Sequence, residues 1–330
     1  MTKPLSFATV LCAAIVGVTS YASAADTLLV ANQKDQSLGL IDTATNKVVA
    51  TIPVGGITGH EVIASPDGKL AYVPIYGSSG VGSPGTDGST LSVIDLASKK
   101  IVGTVDFGHG VRPHCPLFGK DGKLYVTTEL DKTVSIIDPK TLKIVGTIPT
   151  DQEQSHMLAL SKDGKRGYTA NVGPGTVSVL DIPGRKTIAV IPISGSTQRI
   201  SISRDDSMVF TADQKVPQLA VIDTATNKVK TMIPLEGKGY GTAPTLDGRW
   251  LLVTLHGISK VAVVDLKTLK VVKTVDVGKV PSEIVMSKDG KKAYVSNNGS
   301  NDISVINLAD WKVDDTIAAG KFADGMALAR

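Results

Sequence analysis

The chain has 330 residues, a formal net charge of +4 at pH 7 and 4% aromatic residues. So small a charge on so long a chain gives little support to nucleic-acid binding, and so few aromatic side chains argue against a base-stacking surface. Of the two cysteines, Cys12 lies in the N-terminal segment described next, so Cys115 has no partner for an intrachain disulfide once that segment is removed.

The first 24 residues have the pattern of a secretory signal peptide. An apolar run at 7–18 follows Lys3 and precedes a small-x-small cleavage site at 22–24. The run is too short for a comfortable membrane span, and no second hydrophobic segment of spanning length appears. We therefore predict a signal peptide over 1–24, a mature chain over 25–330 without a membrane span, and a periplasmic or secreted location.

An apolar strand that ends in Asp or Asn recurs seven times after this leader. Its final residues are Asp42, Asp95, Asp138, Asp181, Asp223, Asp265 and Asn307. Successive copies are 42 or 43 residues apart, except for the first pair, which is 53 apart. The octapeptide IDTATNKV even occurs twice, at 41–48 and 222–229. A repeat of this length is typical of proteins built from stacked supersecondary units.

Each repeat carries four strand-like segments separated by turn signals. In one repeat they are 284–287, 293–297, 303–307 and 313–318. Four antiparallel strands in each of seven repeats predict an all-β, seven-bladed β-propeller that occupies 25–330 as a single domain. The mature chain starts with a second-strand pattern and ends with a first-strand pattern. We therefore expect the C-terminal strand to close the ring by joining the N-terminal blade.

Three segments resemble a known family. They are SPDGKLAYV at 65–73, DKTVSIIDPKTLKIVGTIP at 131–149 and SKDGKKAYVSN at 287–297. These segments are similar to the YVTN-type β-propeller repeats of exported bacterial and archaeal proteins, the YncE-like family, and the resemblance covers 26–330. It implies the propeller fold. It implies no single activity, because that group includes DNA-binding and surface-layer proteins and similar propellers serve as lactonases.

Aligning the first strands of the repeats places three histidines at one equivalent position. The occupants of this slot are His60, His114, His156, Gln198, Tyr240, Ser282 and Gly325. Because consecutive blades are related by pseudo-symmetry, we expect the three imidazoles to point toward the central axis. Three imidazoles form a ligand set for zinc or copper. The alternatives are an ordinary polar lining of the channel and a catalytic histidine without a metal.

Other polar residues are predicted near the same channel mouth. Glu129, in the loop after a second strand, is a candidate metal ligand or an acceptor for a ligating histidine. Five more residues are candidates for ligand binding: Arg112, Arg199, Tyr240, His109 and His256. Arginine suits an anionic ligand because its guanidinium matches carboxylate or phosphate. The alternative is that rim arginines make only local hydrogen bonds.

The long first spacing arises from an insertion within 76–89, whose core reads GSSGVGSPGTDGS. We interpret it either as a flap near the channel mouth or as a tolerated length variant. Cys115 follows His114 and should therefore point to the other side of the strand, buried between blades. The recurring Asp at the ends of third strands is interpreted as an Asx-type turn cap.

The first functional prediction is a periplasmic or secreted binding protein with a site for a metal ion or small ligand at the channel mouth. If a cofactor is present, it is a zinc or copper ion. The alternatives are a lactonase-like hydrolase that uses the same face, and a DNA-binding or protein-interaction scaffold that uses the top face. The absence of a recognisable catalytic motif favours binding over catalysis.

Overall fold

The computed structural model describes Met1 and residues 26–329, which form seven four-stranded antiparallel sheets arranged in a ring. The prediction of an all-β, seven-bladed propeller is confirmed. Except for Met1, the predicted signal peptide lies outside the described residues. A 3-10 turn at Gln33–Asp35 is the one helical element in 26–329, and this part of the chain has no helix long and apolar enough to cross a membrane.

The blades are numbered here in chain order, and their strands are given from the channel outwards. Blades 1 to 4 consist of Ala323–Ala329, Thr27–Asn32, Ser37–Asp42 and Lys47–Pro53; Ile63–Ala64, Leu70–Gly77, Asp87–Asp95 and Lys100–Asp106; Pro113–Phe118, Leu124–Thr128, Thr133–Asp138 and Lys143–Pro149; and Ser155–Leu160, Arg166–Asn171, Thr176–Asp181 and Lys186–Pro192. Blades 5 to 7 consist of Thr197–Ile202, Met208–Asp213, Gln218–Asp223 and Lys228–Pro234; Gly239–Pro244, Trp250–Leu255, Lys260–Asp265 and Lys270–Asp276; and Pro281–Met286, Lys292–Asn297, Asp302–Asn307 and Lys312–Ala318.

The C-terminal strand closes the ring, as the sequence predicted. Ala323–Ala329 pairs antiparallel with Thr27–Asn32, and Leu28 lies opposite Leu328. The innermost strands of neighbouring blades contact each other around the whole circle, including blade 7 with blade 1 and blade 1 with blade 2. The Gly325 amide also donates to the carbonyl oxygen of His60 at 3.0 Å, which ties the closing strand to blade 2. Main-chain hydrogen bonds therefore join the two ends of the propeller.

Each blade packs both of its faces against neighbours, so the second and third strands are apolar along most of their length. Leu28 and Leu29 are successive residues that point to opposite faces of one sheet, and both are fully buried. The outer strands are exposed or half-buried except for one buried residue near their end, and each begins with a lysine. Every outer strand also pairs through a β-bulge. Lysine and bulges both discourage edge-to-edge association with other sheets.

The recurring aspartates are turn caps, as expected. The Asp42 Oδ1 atom accepts from the backbone N–H groups of Ala44 and Thr45, both at 2.9 Å. At the end of every other third strand, the side-chain oxygen of Asp or Asn likewise accepts from a backbone N–H two or three residues later. These carboxylates hold the turn to the outer strand and take no part in a shared site.

The innermost strands carry an irregularity that positions the channel residues. In blades 3 to 7, the pairing between first and second strands shifts register next to the histidine slot. A bulge of this kind lets two successive side chains turn toward the same side. Cys115 is buried and packs between blades 3 and 4, as predicted, with its Sγ atom 3.8 Å from the carbonyl oxygen of Leu158, and it also lines the central cavity beside Glu61 and Met157.

Candidate functional site

Three of the predicted histidines lie together at one end of the central channel. The ring centroids of His60 and His114 are 5.4 Å apart, and those of His114 and His156 are 3.5 Å apart. Tyr76, in the second strand of blade 2, stacks on His60 at 4.5 Å and meets the other two rings edge-on. The equivalent slot thus brings imidazoles from three consecutive blades into one aromatic group. Tyr76 belongs to this group but was not predicted from the sequence.

Glu129 is the carboxylate of this group and is 2% exposed. Its Oε2 atom accepts from the Tyr76 hydroxyl at 2.5 Å and contacts His156 Nδ1 at 3.3 Å. Burial alone would raise the pKa of Glu129, but the hydrogen bonds from His156 and Tyr76 and the charge of Arg112 outweigh it and hold the pKa below its usual value. Glu129 therefore remains ionised inside the channel. We call His60, His114, His156 and Glu129 the histidine cluster.

The carboxylate also fixes the tautomer of its neighbour. An ionised carboxylate only accepts hydrogen bonds, so Nδ1 of His156 carries the proton in this contact. In the neutral ring, the lone pair then resides on Nε2, which lies 3.5 Å from the amide nitrogen of Gln198. The side chain of His156 thus turns a basic nitrogen toward the channel.

The histidine cluster contains polar atoms that lack hydrogen bonds. Among residues 26–329, no hydrogen-bond partner exists for His114 Nδ1 or for Glu129 Oε1, although Oε1 lies 3.6 Å from Arg112 Nη1. Burial, followed by the neighbouring imidazoles, places the pKa of His114 well below its usual value. Burial likewise lowers the pKa of His60 to about 4. Both rings are therefore neutral at pH 7 and offer lone pairs without having to release a proton.

The inserted loop, residues 78–86, is held next to this cluster by Arg112. The guanidinium donates to the carbonyl oxygens of Gly80 and Ser83 at 3.3 and 2.9 Å, and to Asp87 at 2.6 Å. A cavity of about 510 Å³ lies between this loop and blades 3 and 4 and reaches Glu129. The insertion therefore forms one wall of the approach to the histidine cluster.

A second buried group lies around Arg199, which is 4% exposed. Its Nη2 atom lies 2.7 Å from Glu61 Oε1 and 3.0 Å from Asp324 Oδ1, and Nη1 pairs with Glu283. Ser282 donates to Asp324 at 2.6 Å. Burial raises the pKa of Glu61 to about 7, which outweighs the attraction of the guanidinium. We call Arg199, Glu61, Glu283 and Asp324 the ionic cluster.

The remaining residues predicted to bind a ligand lie either beside the ionic cluster or at the surface of the protein. The guanidinium carbon of Arg199 lies 5.3 Å from the centre of the Tyr240 ring, which is 4.5 Å from that of His256. His109 instead lies at the exposed surface, where Nε2 is 2.9 Å from Asp131 Oδ1 and the pKa of His109 is raised by that contact. A role for these residues in ligand binding stays a prediction.

Glu61, Glu283 and Asp324 were not among the residues expected at the site. Glu61 and Glu283 occupy, in blades 2 and 7, the position directly after the histidine slot, which is also the position of Arg199 in blade 5. Comparing this second slot between repeats would have found three of the four charges. Among residues 26–329, no group of three or more His, Cys, Asp or Glu side chains has a geometry that could hold a metal ion without rearrangement.

Comparison with known proteins supports the architecture. No family model matches the chain, and no curated protein matches it. Hydrazine synthase from Kuenenia stuttgartiensis is 22% identical and superposes with a TM-score of 0.74 over 86% of this chain and 92% of that one. A protein of unknown function from Desulfotomaculum acetoxidans is 16% identical, with a TM-score of 0.76 over 93% and 99% of the two chains.

The dihydro-heme d1 dehydrogenase NirN, in complex with DHE, is 16% identical, with a TM-score of 0.68 over 93% of this chain and 76% of that one. The chain shares the β-propeller fold of these proteins. At such identities the likeness shows the fold alone, and no family match confirms the YncE-like resemblance.

Proposed function

We propose that this chain is an exported binding protein whose histidine cluster holds a zinc or copper ion. The observation that carries the proposal is the pair of buried atoms without hydrogen-bond partners, His114 Nδ1 and Glu129 Oε1, beside neutral imidazoles. Buried polar atoms without partners are costly, and a cation bound in the cluster would give His114 Nδ1 the partner that it lacks. Neutral imidazole and ionised carboxylate are the protonation states that metal binding requires.

Binding must be accompanied by a small rearrangement. With zinc–nitrogen bonds of about 2.0–2.1 Å, two imidazoles on one tetrahedral ion have ring centroids about 5 Å apart. The separation of His60 and His114, 5.4 Å, fits this value, whereas that of His114 and His156, 3.5 Å, is too short. The ring of His114 or His156 must therefore swing away from its neighbour by roughly 1.5 Å. The cavity that reaches Glu129 provides a path for the ion to enter.

The charges near the histidine cluster favour a cation over the anionic ligand also considered from the sequence. Arg112 is paired with Asp87 and Glu129, and Arg199 is surrounded by three carboxylates. Neither guanidinium therefore has uncompensated positive charge to offer an anion. The NirN structure is of a complex with DHE, which is compatible with ligand binding by proteins of this fold.

Metal analysis of untagged mature protein, residues 25–330, tests the proposal. We expect one zinc or copper ion per chain by elemental mass spectrometry, and a 1:1 calorimetric titration of the chelator-treated protein with each metal. Glutamine is the natural occupant of the equivalent slot in blade 5, so His114→Gln and His156→Gln should fold. We expect each to weaken binding by at least about tenfold, because each removes a ligand.

His109→Gln is the matched control, since it changes an exposed histidine outside the cluster and should leave the affinity as it was. Undiminished metal content in the triple variant His60→Gln, His114→Gln, His156→Gln would contradict the assignment, as would a parent protein that binds neither ion. Export is tested separately by fractionating cells that express the full chain and measuring the mass of the product, which should begin at Ala25.

A further inference from the structure

A cavity of about 400 Å³ occupies the central channel, on the side of the ionic cluster away from the histidine cluster. All seven innermost strands contribute to its wall, and Arg204 and Leu246 mark the end near the turns between first and second strands. Most of its lining is apolar: Val62, Leu117, Met157, Ile200, Ile284, Met286, Met326 and Leu328. Both the volume and the largely apolar lining are those of small-molecule sites, which span about 300–1,000 Å³.

Two carboxylates stand out in this apolar lining. Glu61 and Glu283 face the cavity, whereas Arg199 lies behind them and is not part of the wall. Glu61 is 5% exposed, and its Oε1 atom accepts no hydrogen bond from residues 26–329 although it lies 2.7 Å from Arg199 Nη2. The side chain of Glu283 is 21% exposed, so solvent reaches this end of the cavity.

The ionic cluster has more negative than positive charge. One guanidinium faces three carboxylates, and the other donors to Asp324 are the neutral Ser282 hydroxyl and Gln33 amide. Burying carboxylates without a matching cation is costly. A second positive charge placed against the cavity face of Glu61 and Glu283 would balance the cluster.

We propose that this cavity binds a small organic ammonium ion, with its charged nitrogen against Glu61 and Glu283 and its apolar part against the methionine, leucine and isoleucine side chains. The apolar volume suits an organic cation rather than a bare metal ion, which would be held by polar atoms on all sides. Arg204 hydrogen-bonds to the carbonyl oxygens of Pro244 and Thr245 at the turn end of the cavity. Its charge directs a cationic head toward the opposite, acidic end.

Calorimetry of the mature protein with n-hexylammonium tests this site. We expect n-hexylammonium to bind at least about tenfold more tightly than 1-hexanol, which has the same alkyl chain without the charge, and hexanoate not to bind. Glu283→Gln should weaken n-hexylammonium binding by about tenfold or more. Ala243→Phe, which fills the cavity and keeps the carboxylates, should abolish it. Glu236→Gln changes an exposed carboxylate paired with Lys260 and should have no effect.

Equal affinity for n-hexylammonium and 1-hexanol, or unchanged binding by Glu283→Gln, would overturn the proposal. Circular dichroism and thermal unfolding report whether the variants fold. If Ala243→Phe does not fold, Glu283→Gln still tests the proposal, because Glu283 is partly exposed and its substitution should be tolerated. His114→Gln should bind n-hexylammonium as the parent does, because the histidine cluster is a separate site. Loss of metal binding and loss of amine binding are thus distinguishable.

Discussion

Acid should destabilise this propeller through its buried histidines, and His60 allows the effect to be measured. Burial lowers the pKa of His60 from 6.5 to about 4 in the folded protein. An unfolded chain binds the proton near the ordinary value, so at acid pH the unfolded state gains a proton that the folded state resists. The contribution of a neutral His60 to stability is therefore complete above pH 6.5 and is lost as the pH falls toward 4.

The size of the effect follows from the difference between the two pKa values. One pKa unit corresponds to about 1.4 kcal/mol, so the shift of His60 from 6.5 to about 4 is worth about 3 kcal/mol. Most of this, about 2.5 kcal/mol, is already lost at pH 4.5. His114 acts in the same direction, because burial also lowers its pKa. Neighbouring Asp324 partly offsets the shift of His60 by attracting the protonated ring.

The assay is urea unfolding of metal-free mature protein at pH 7.5 and pH 4.5, followed by circular dichroism. Between these two conditions, the unfolding free energy of the parent should fall by about 2.5 kcal/mol more than that of His60→Gln. His109→Gln should follow the parent, because that ring is exposed and its pKa is raised instead. If the parent and His60→Gln lose stability equally, a neutral buried imidazole at position 60 is the wrong explanation.

Three further outcomes are expected. Cys115 is buried, and burial raises the pKa of its thiol to about 12. Thiol reagents at pH 8 should therefore modify the mature protein only as fast as it unfolds. Rapid labelling in native buffer would contradict this. Deleting 323–330 removes the strand that closes the ring and should prevent cooperative unfolding in calorimetric scans. A permuted chain that carries 322–330 ahead of residue 26 should restore it. A stable truncated protein would show that closure is dispensable. Arg112→Gln should make the loop 78–86 more sensitive to protease, since three side-chain hydrogen bonds are weakened or lost; an unchanged cleavage rate would mean that the loop is held by other contacts.

The repeat carried most of the information about the fold. The near-constant spacing and the four strand patterns in each repeat were enough to predict seven blades. The second-strand pattern at the start of the mature chain and the first-strand pattern at its end predicted the closing strand. The same periodicity predicted that His60, His114 and His156 lie side by side, because equivalent positions in neighbouring blades are close in space. Each of these conclusions depends on comparing repeats and not on any local motif.

The ionic cluster could be predicted only in part from the repeat, because Glu61, Arg199 and Glu283 share the position after the histidine slot, whereas Asp324 precedes it. Its members come from blades 1, 2, 5 and 7 and are as far apart in sequence as Glu61 and Asp324. The bulges next to the slot were not predicted either, and they bring Cys115 and Glu283, which follow the slot, to the cavity wall. A bulge has no sequence signature as clear as a turn glycine.

Asp324 belongs to Ala323–Ala329, the strand that closes the ring, and it is a partner of Arg199. Without that strand, the guanidinium would lose one of its three counter-charges and the cavity would lose the wall supplied by Met326 and Leu328. A chain that lacks this strand therefore has no complete central cavity, even if its earlier blades have folded. If the proposed organic cation binds this cavity, it binds only the closed ring, and raising its concentration would make separation of Ala323–Ala329 from Thr27–Asn32 rarer.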